Sequence, residues 1–338
     1  MRDLGLIKTD GEIEKLTVAG LLFVGKQSSI SRLLPSAEVI YLHYSADNLE
    51  EYDARLDMRQ PIVSVLDRLT EIIQNDNRIL NDQIGLFRLE IADFSEKVFQ
   101  EALLNAMSHR DYQSMSAVYV KHYPDKIVIE NPGGFLDGIT EKNIITHPSA
   151  PRNKLIAETL QHLKYVQRTG QGVDIICREM VSMGKPYPEY HVFSDAVSLT
   201  LRSSVEDMSF VKFVVAEQEK KQIILSLAEL MILRYVTKNK QIKLSDAKDL
   251  VQLSLEDTRK CCLNLVKLGL IETVGKEYML TARVYEMVKS DVQYTRDKVV
   301  QYIKAEQQAR ATIDKMRKEN IIDMIGKGKS SKYVLVKS

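Results

Sequence analysis

Cysteine is scarce in this chain. Three occur among 338 residues, Cys177, Cys261 and Cys262. Two of them are adjacent, which fits neither a disulfide framework nor paired zinc ligands, so reduced, buried thiols are expected. Long apolar runs are missing too. Residues 18–24 form far too short a run to cross a membrane, and residues 223–236 are interrupted by Ser226, Glu229 and Arg234. The N-terminal residues hold no apolar signal core, and a cytoplasmic chain without membrane contact is the expectation. A phosphate-wrapping P-loop is absent as well. Gly328-Lys329-Ser330 is the near match, but Asp323 stands where the first glycine belongs, so no P-loop motor is encoded.

What is present is ordinary in bulk and uneven in distribution. Hydrophobic residues make up 44% and charged residues 28%, values of a globular chain that exclude fibrous and wholly disordered classes. The length predicts two or three domains. The net charge of +1 conceals an asymmetry. Residues 203–338 hold 25 Lys and Arg against 18 Asp and Glu, whereas residues 1–202 hold 22 against 28. A basic C-terminal part is a candidate for a polyanionic partner, although a solvated basic surface gives the same count.

Periodicity predicts an α+β chain with helices on a largely antiparallel sheet. Residues 38–44 and 86–91 read as strands and residues 61–73 as a helix. A long helix over 95–112 follows, with Ser95 as N-cap. Strands are predicted at 117–122 and 126–130, loop or short helix at 131–151, a helix from about 172, and strands at 190–193 and 197–202. The expected organisation is a lead-in region at 1–90, a main domain at 91–203, a polar connector at 204–221, a helical module at 222–282 and a second, incomplete module at 283–338.

The last two segments carry an internal repeat at an offset of 51. Ile271 falls opposite Ile322, Gly275 opposite Gly326 and Lys276 opposite Lys327. Each copy reads as a helix followed by a hairpin turning at Gly-Lys. With helices near 219–237 and 245–251 before it, the first copy follows the winged-helix plan, a variant of helix-turn-helix.

Chemistry concentrates in residues 94–174. At 100° per residue, Phe99, Ala102, Leu103 and Ala106 share one helix face, and Glu101, Asn105, Ser108 and Tyr112 share the opposite one. An Asn oxygen suits Mg²⁺, and a Glu one turn away can take a proton from water. A solvated helix face would show the same spacing. The strand at 126–130 then runs into Asn131-Pro132-Gly133-Gly134, where glycines admit a close ligand. Arg168-Thr169-Gly170-Gln171-Gly172 precedes a predicted helix, whose free amides suit phosphate.

The order of these motifs resembles the Bergerat-type ATP-binding fold of gyrase, histidine kinases and MutL. EALLNAMSHRDY, IENPGGF, PRNKLIAETL and RTGQGVD are more specifically similar to the ATPase-like domain of bacterial transcriptional regulators labelled RecG-like. The resemblance spans roughly residues 10–335. It implies ATP and Mg²⁺ as cofactors and Glu101 as the general base. It implies Asn105 as the Mg²⁺ ligand and Asn131 in place of the usual adenine-binding Asp. Gly133 and Gly134 would seat the base, and Gly170 and Gly172 would cradle phosphates beside Arg168. His109 and Arg110 follow the helix and suit either phosphate contact or a structural role, and Pro151-Arg152-Asn153 falls in the lid region. Many such relatives carry an N-terminal Schlafen/AlbA-like domain that this chain lacks, which leads to the expectation of a fragment or shortened form.

In the basic part, Ser254 is a predicted N-cap for a helix over 255–268. Leu255, Cys262, Leu265 and Val266 form its apolar stripe, while Arg259, Lys260, Asn264 and Lys267 point outward. Lys276, Lys327 and Lys329 would sit in the two wings. Glu256 and Asp257 in the first turn oppose phosphate. Two classes of function therefore stand: a nucleotide-responsive, DNA-binding transcriptional regulator, with a homodimer as one arrangement, or a non-enzymatic protein-interaction scaffold with a degenerate nucleotide site. Slow Mg-dependent ATP hydrolysis is a third outcome.

Overall fold

Alternating apolar residues build the strands, and strand order builds everything else. The computed structural model describes residues 1–46, 51–84, 87–148, 150–165, 172–289, 322–325 and 332–335. A hairpin of β1 (Ile7–Asp10) and β2 (Ile13–Leu16) leads into two short helices, α1 (Val18–Val24) and α2 (Gln27–Leu33). Thr17 caps α1 by accepting a hydrogen bond from the Gly20 N–H at 3.1 Å. Then come β3 (Val39–His43), β4 (Ala54–Met58), α3 (Ile62–Asn75), β5 (Ile79–Ile84), β6 (Phe87–Ala92) and α4 (Glu96–His109). They are followed by β7 (Val118–His122), β8 (Lys126–Pro132), α5 (Lys154–His162), α6 (Gly172–Ser182), β9 (Glu189–Val192) and β10 (Ala196–Arg202).

Six of these strands form one mixed sheet in the order β4-β3-β7-β8-β10-β9. Only β3 and β7 run parallel, so the largely antiparallel expectation holds for the other neighbours. The predicted strand at 86–91 is β6, which pairs with β5 in a separate two-stranded sheet. Period-two alternation gives the main sheet two faces. Val39, Tyr41, Val118, Val120, Ile127, Ile129, Leu199 and Leu201 turn one face into a core shared with α1, α3, α4, α5 and α6. Ile40, Leu42, Tyr44 and Ala117 cluster on the other, where Tyr44 stacks on Tyr123 at 4.4 Å.

The stretch expected to be a polar connector is a packed helix, α7 (Met208–Lys221). Its Phe210, Val211, Phe213 and Val214 are buried, and their 3.6-residue spacing was masked by the charged residues at its end. The helix expected over 219–237 is interrupted. Gln222 takes a left-handed conformation at the end of α7, and α8 (Leu227–Asn239) restarts with a capping box between Ser226 and Glu229. β11 (Gln241–Lys243), α9 (Leu244–Val251), α10 (Leu255–Lys267), β12 (Ile271–Val274), β13 (Glu277–Leu280) and α11 (Ala282–Lys289) follow. The three short strands form an antiparallel sheet ordered β11-β13-β12 against α8, α9 and α10. Ser254 caps α10 as expected, accepting from the Asp257 N–H at 3.1 Å. Leu255, expected in the apolar stripe, is 46% exposed, and Thr258 occupies the buried position instead.

The chain forms two compact units, residues 1–80 with 90–289 and residues 81–89 with 290–338. The six-stranded sheet and the α8–β13 module therefore belong to one unit. In the other, β14 (Ile322–Ile325) and β15 (Lys332–Leu335) pair antiparallel, with Ile322 opposite Leu335. Lys327 and Lys329 lie outside the described residues.

Candidate functional site

The long helix α4 is apolar on more than one side. Phe99, Ala102, Leu103 and Ala106 are buried as the spacing predicts, and Val98, Leu104, Met107 and Ser108 are buried too. Its polar face is therefore no solvated surface. Glu101, Asn105, Ser108 and His109 line a cavity of about 180 Å³. The helix ends at His109, three residues before the expected Tyr112, because Arg110 turns inward. Its terminal guanidinium nitrogens donate to the carbonyl oxygens of Ser36, Glu38 and Ser116, a structural role, while its buried Nε has no hydrogen-bond partner among the described residues.

The sheet supplies the next surface. Alternation places Ile127, Ile129 and Asn131 on one face of β8, and in register they sit opposite Leu201, Leu199 and Val197 of β10. Ile129, Asn131, Val197 and Leu199 all line the cavity, with Gly133 and Gly134 just beyond the strand end. Gly133 has φ +100, and a side chain there would press on Asp111, so this position requires glycine. Asn131 is 9% exposed, and its Oδ1 has no hydrogen-bond partner among the described residues.

The third stretch arrives at Gly172, the first residue of α6. A Cβ added to Gly172 would lie 2.7 and 2.9 Å from the two amide atoms of Asn105 and would overlap the Glu101 carboxylate. The start of α6 is thus pressed against the Glu101–Asn105 face, where only glycine fits without displacing those side chains. Asn105 Nδ2 is buried and also lacks a partner among the described residues. Arg168 and Gly170 lie outside the described residues.

Burial sets the electrostatics. Desolvation pushes the Glu101 carboxyl above its ordinary 4.5. Burial, and next the positive charge of Arg152, lower His109. Arg152 ties two walls together, donating from Nε to the His109 carbonyl at 3.1 Å and from Nη2 to the Gly134 carbonyl at 2.8 Å. Asn153 Nδ2 likewise reaches the carbonyls of Ser108 and Arg110, at 3.1 and 2.7 Å. The lining also includes Phe135, Ile139, Ile144, Ile145, His147 and Tyr190. Sequence reasoning missed these. For Val197 and Leu199 the signal was alternation along β10, while the residues after Phe135 follow no period.

The outward residues of α10 have differing surroundings. Arg259 and Lys267 are exposed, as is Lys276 between β12 and β13. Lys260 is held between Glu256 and Asp257 at 3.2 and 3.0 Å. Asn264 Nδ2 donates to Glu229 Oε1 at 2.6 Å, so this side chain serves the α8–α10 contact.

Comparison with known proteins bears on the cavity. Residues 116–201 match an ATPase-like domain family. Its model is described as "Putative ATP-dependent DNA helicase recG C-terminal". The matched part of the ATPase-like domain runs from β7 to β10 and includes Asn131, Gly133, Gly134 and Gly172, while Glu101 and Asn105 precede it. Residues 1–40 match a domain of unknown function, DUF8451. Among solved structures, the chain is similar to the DIP2311 protein from Corynebacterium diphtheriae. The TM-score is 0.70 at 19% identity, covering 86% of this chain and 58% of that one. That likeness concerns the fold alone, and the chain spans little more than half of that protein's length. Ligand-free NadR aligns at a TM-score of 0.20 and 14% identity, over 32% of this chain and 90% of that one, and carries no argument. No curated protein matches the chain. Among the described residues no helix is long and apolar enough to cross a membrane, and no cluster of His, Cys, Asp or Glu forms a metal site of its own.

Proposed function

We propose that the cavity binds an adenine nucleotide with Mg²⁺, and that the chain is a nucleotide-responsive regulator that contacts DNA. The observation that carries this reading is the close approach of Gly172 to Glu101 and Asn105 at one end of a cavity that also holds Asn131, Gly133 and Gly134. Two buried amide atoms in that cavity, Asn105 Nδ2 and Asn131 Oδ1, have no partner among the described residues and fit a polar ligand that completes their hydrogen bonds. In this reading Asn131 Oδ1 accepts an amino proton of the base. Asn105 Nδ2 donates to a phosphate oxygen, and its Oδ1 is the hard oxygen ligand for Mg²⁺. Gly172 opens a helix whose N-terminal amides face the phosphates, with Gly170 and Arg168 just before it. Bound Mg²⁺ would neutralise phosphate charge and polarise the terminal phosphate. Glu101, with its raised carboxyl pKa, is the general base if the nucleotide turns over.

The test is a thermal-shift titration with ATP, ADP and a non-hydrolysable analogue, with and without Mg²⁺. A rise in melting temperature that needs Mg²⁺ and disappears in Asn105→Ala supports the reading. Flat curves throughout defeat it and favour the scaffold. Turnover lost in Glu101→Gln with binding retained would identify slow hydrolysis.

For the α8–β13 module we infer a winged helix. The order helix, strand, helix, helix and hairpin supports this, with α10 as recognition helix and Lys276 in the wing. Arg259, Lys267 and Lys276 would meet phosphates, joined by Lys327 and Lys329 of the second copy. A competing reading has its own observation. Lys260 is paired, Asn264 is engaged, and Leu255 and Leu263 are 46% and 55% exposed on α10, a surface suited to a protein partner. Retained DNA affinity in Leu263→Ser together with loss in Arg259→Ala favours DNA, and the reverse pattern favours protein.

A further inference from the structure

One wall of the cavity is an irregular segment, residues 135–148. It contributes Ile139, Ile144, Ile145 and His147 to the lining. The segment is partly braced from within, since the Asn143 side chain accepts from the Thr140 N–H and donates to the Gly138 carbonyl, both at 2.7 Å. Its external anchors are more informative. Glu141 Oε1 accepts from the Val192 N–H on the edge strand β9, at 3.2 Å. The other anchor is Gln252, in the turn between α9 and α10. The Ile145 N–H donates to Gln252 Oε1 at 3.2 Å, and the Thr146 hydroxyl donates to the Gln252 carbonyl at 2.7 Å. Gln252 Nε2 completes the set with a long contact of 3.5 Å to the Glu141 carbonyl.

The backbone at Gln252 is unusual. It adopts φ 57 and ψ 27, the left-handed region that disfavours a residue with a Cβ. Gln252 is the C-cap of α9, and from this position its side chain and carbonyl meet the cavity wall. Two residues later, Ser254 caps α10. The same turn therefore sets the start of α10 and holds the wall of the cavity.

We propose that Gln252 is a positioning residue of the cavity, through which the turn that begins α10 fixes the wall at residues 141–147. Displacement of that turn moves the wall, and filling of the cavity bears on the start of α10. The regulatory meaning of this link rests on the nucleotide reading above, whereas the positioning role does not.

The test uses hydrogen-exchange mass spectrometry on the full chain. Gln252→Gly accepts the left-handed backbone and deletes the carboxamide, while Gln252→Glu keeps an acceptor for the Ile145 N–H. Without ligand, amides of residues 141–147 should exchange roughly fivefold faster in Gln252→Gly, as expected for a lost hydrogen bond. Gln252→Glu should stay near wild type at those amides, and α8 should be unchanged in both. Unaltered exchange in Gln252→Gly, or equal acceleration in both variants, overturns the proposal. If Gln252→Gly unfolds, Thr146→Val cuts the link from the cavity side and is read in the same way. With a non-hydrolysable ATP analogue and Mg²⁺, wild type should gain protection at residues 252–258 and Gln252→Gly should not. Equal protection in the two would overturn the link. Failure of the analogue to bind, alongside faster exchange in Gln252→Gly, would defeat the nucleotide reading and support the positioning role.

Discussion

Glycine at 172 and glutamate at 101 lie close together in the lining of the cavity. Alanine at 172 would push against the ends of two flexible side chains rather than against backbone, so the fold should survive. Its better helix propensity, about 1 kcal/mol, offsets part of the crowding. Gly172→Ala is therefore expected to change stability by no more than about 1 kcal/mol in a denaturant titration while abolishing the Mg-dependent thermal shift. Glu101 gives a prediction in pH. Its folded pKa lies above 4.5, so between 4.5 and that raised value the folded state holds a proton the unfolded chain releases. Stability from this group is full below 4.5 and is lost as pH rises through the folded value. Glu101→Gln stays neutral throughout. It should melt above wild type at pH 7 to 8, with the gap closing as pH falls towards 4.5.

At the scale of elements, α6 joins the cavity to the C-terminal module. Its first residue touches Glu101 and Asn105, and the turn after its last is gripped by α8. Arg234, 2% exposed, donates to the carbonyls of Lys185 and Gly184 and pairs with Glu206 at 3.1 Å. Burying a guanidinium is tolerable because both of its terminal nitrogens find oxygens. Arg234→Met strips those carbonyls of their donor and should lower unfolding free energy by roughly 2–3 kcal/mol in denaturant. The effect should appear in both the cavity and the module, since the two pack within one unit. Gln252 is a further connection between them, made to the wall at residues 141–147.

For the whole molecule, charge divides the chain into an acidic and a basic part, and the proposed DNA contact belongs to the basic one. A C-terminal part with seven more basic than acidic residues should bind duplex DNA with an affinity that falls steeply between about 50 and 200 mM salt. Measured by fluorescence anisotropy, a salt-independent affinity or none would contradict DNA contact. Much of the architecture was legible beforehand. The strands β3, β7, β8 and β10, the helices α3 and α4, and the Ser254 cap follow from alternation, periodicity and capping chemistry, which act over a few residues. The helix α7 was missed because polar residues near its end disguised a buried apolar face. Residues 131–151 were expected as loop or short helix, but the place of 135–148 as a wall of the cavity was not legible, because irregular backbone has no period that assigns a facing side.

The sequence alone determined the inward-facing positions along β3, β7, β8, β10 and α3, and it set the order of the Glu-Asn helix, the Asn-Pro-Gly-Gly turn and the glycine that opens α6. Local sterics and hydrogen bonding suffice for that. Only the tertiary structure decided that Gly172 lies against Asn105, and that Gln252 holds an amide 107 residues away. Those contacts depend on strand order and helix packing, which bring together groups that no local pattern relates.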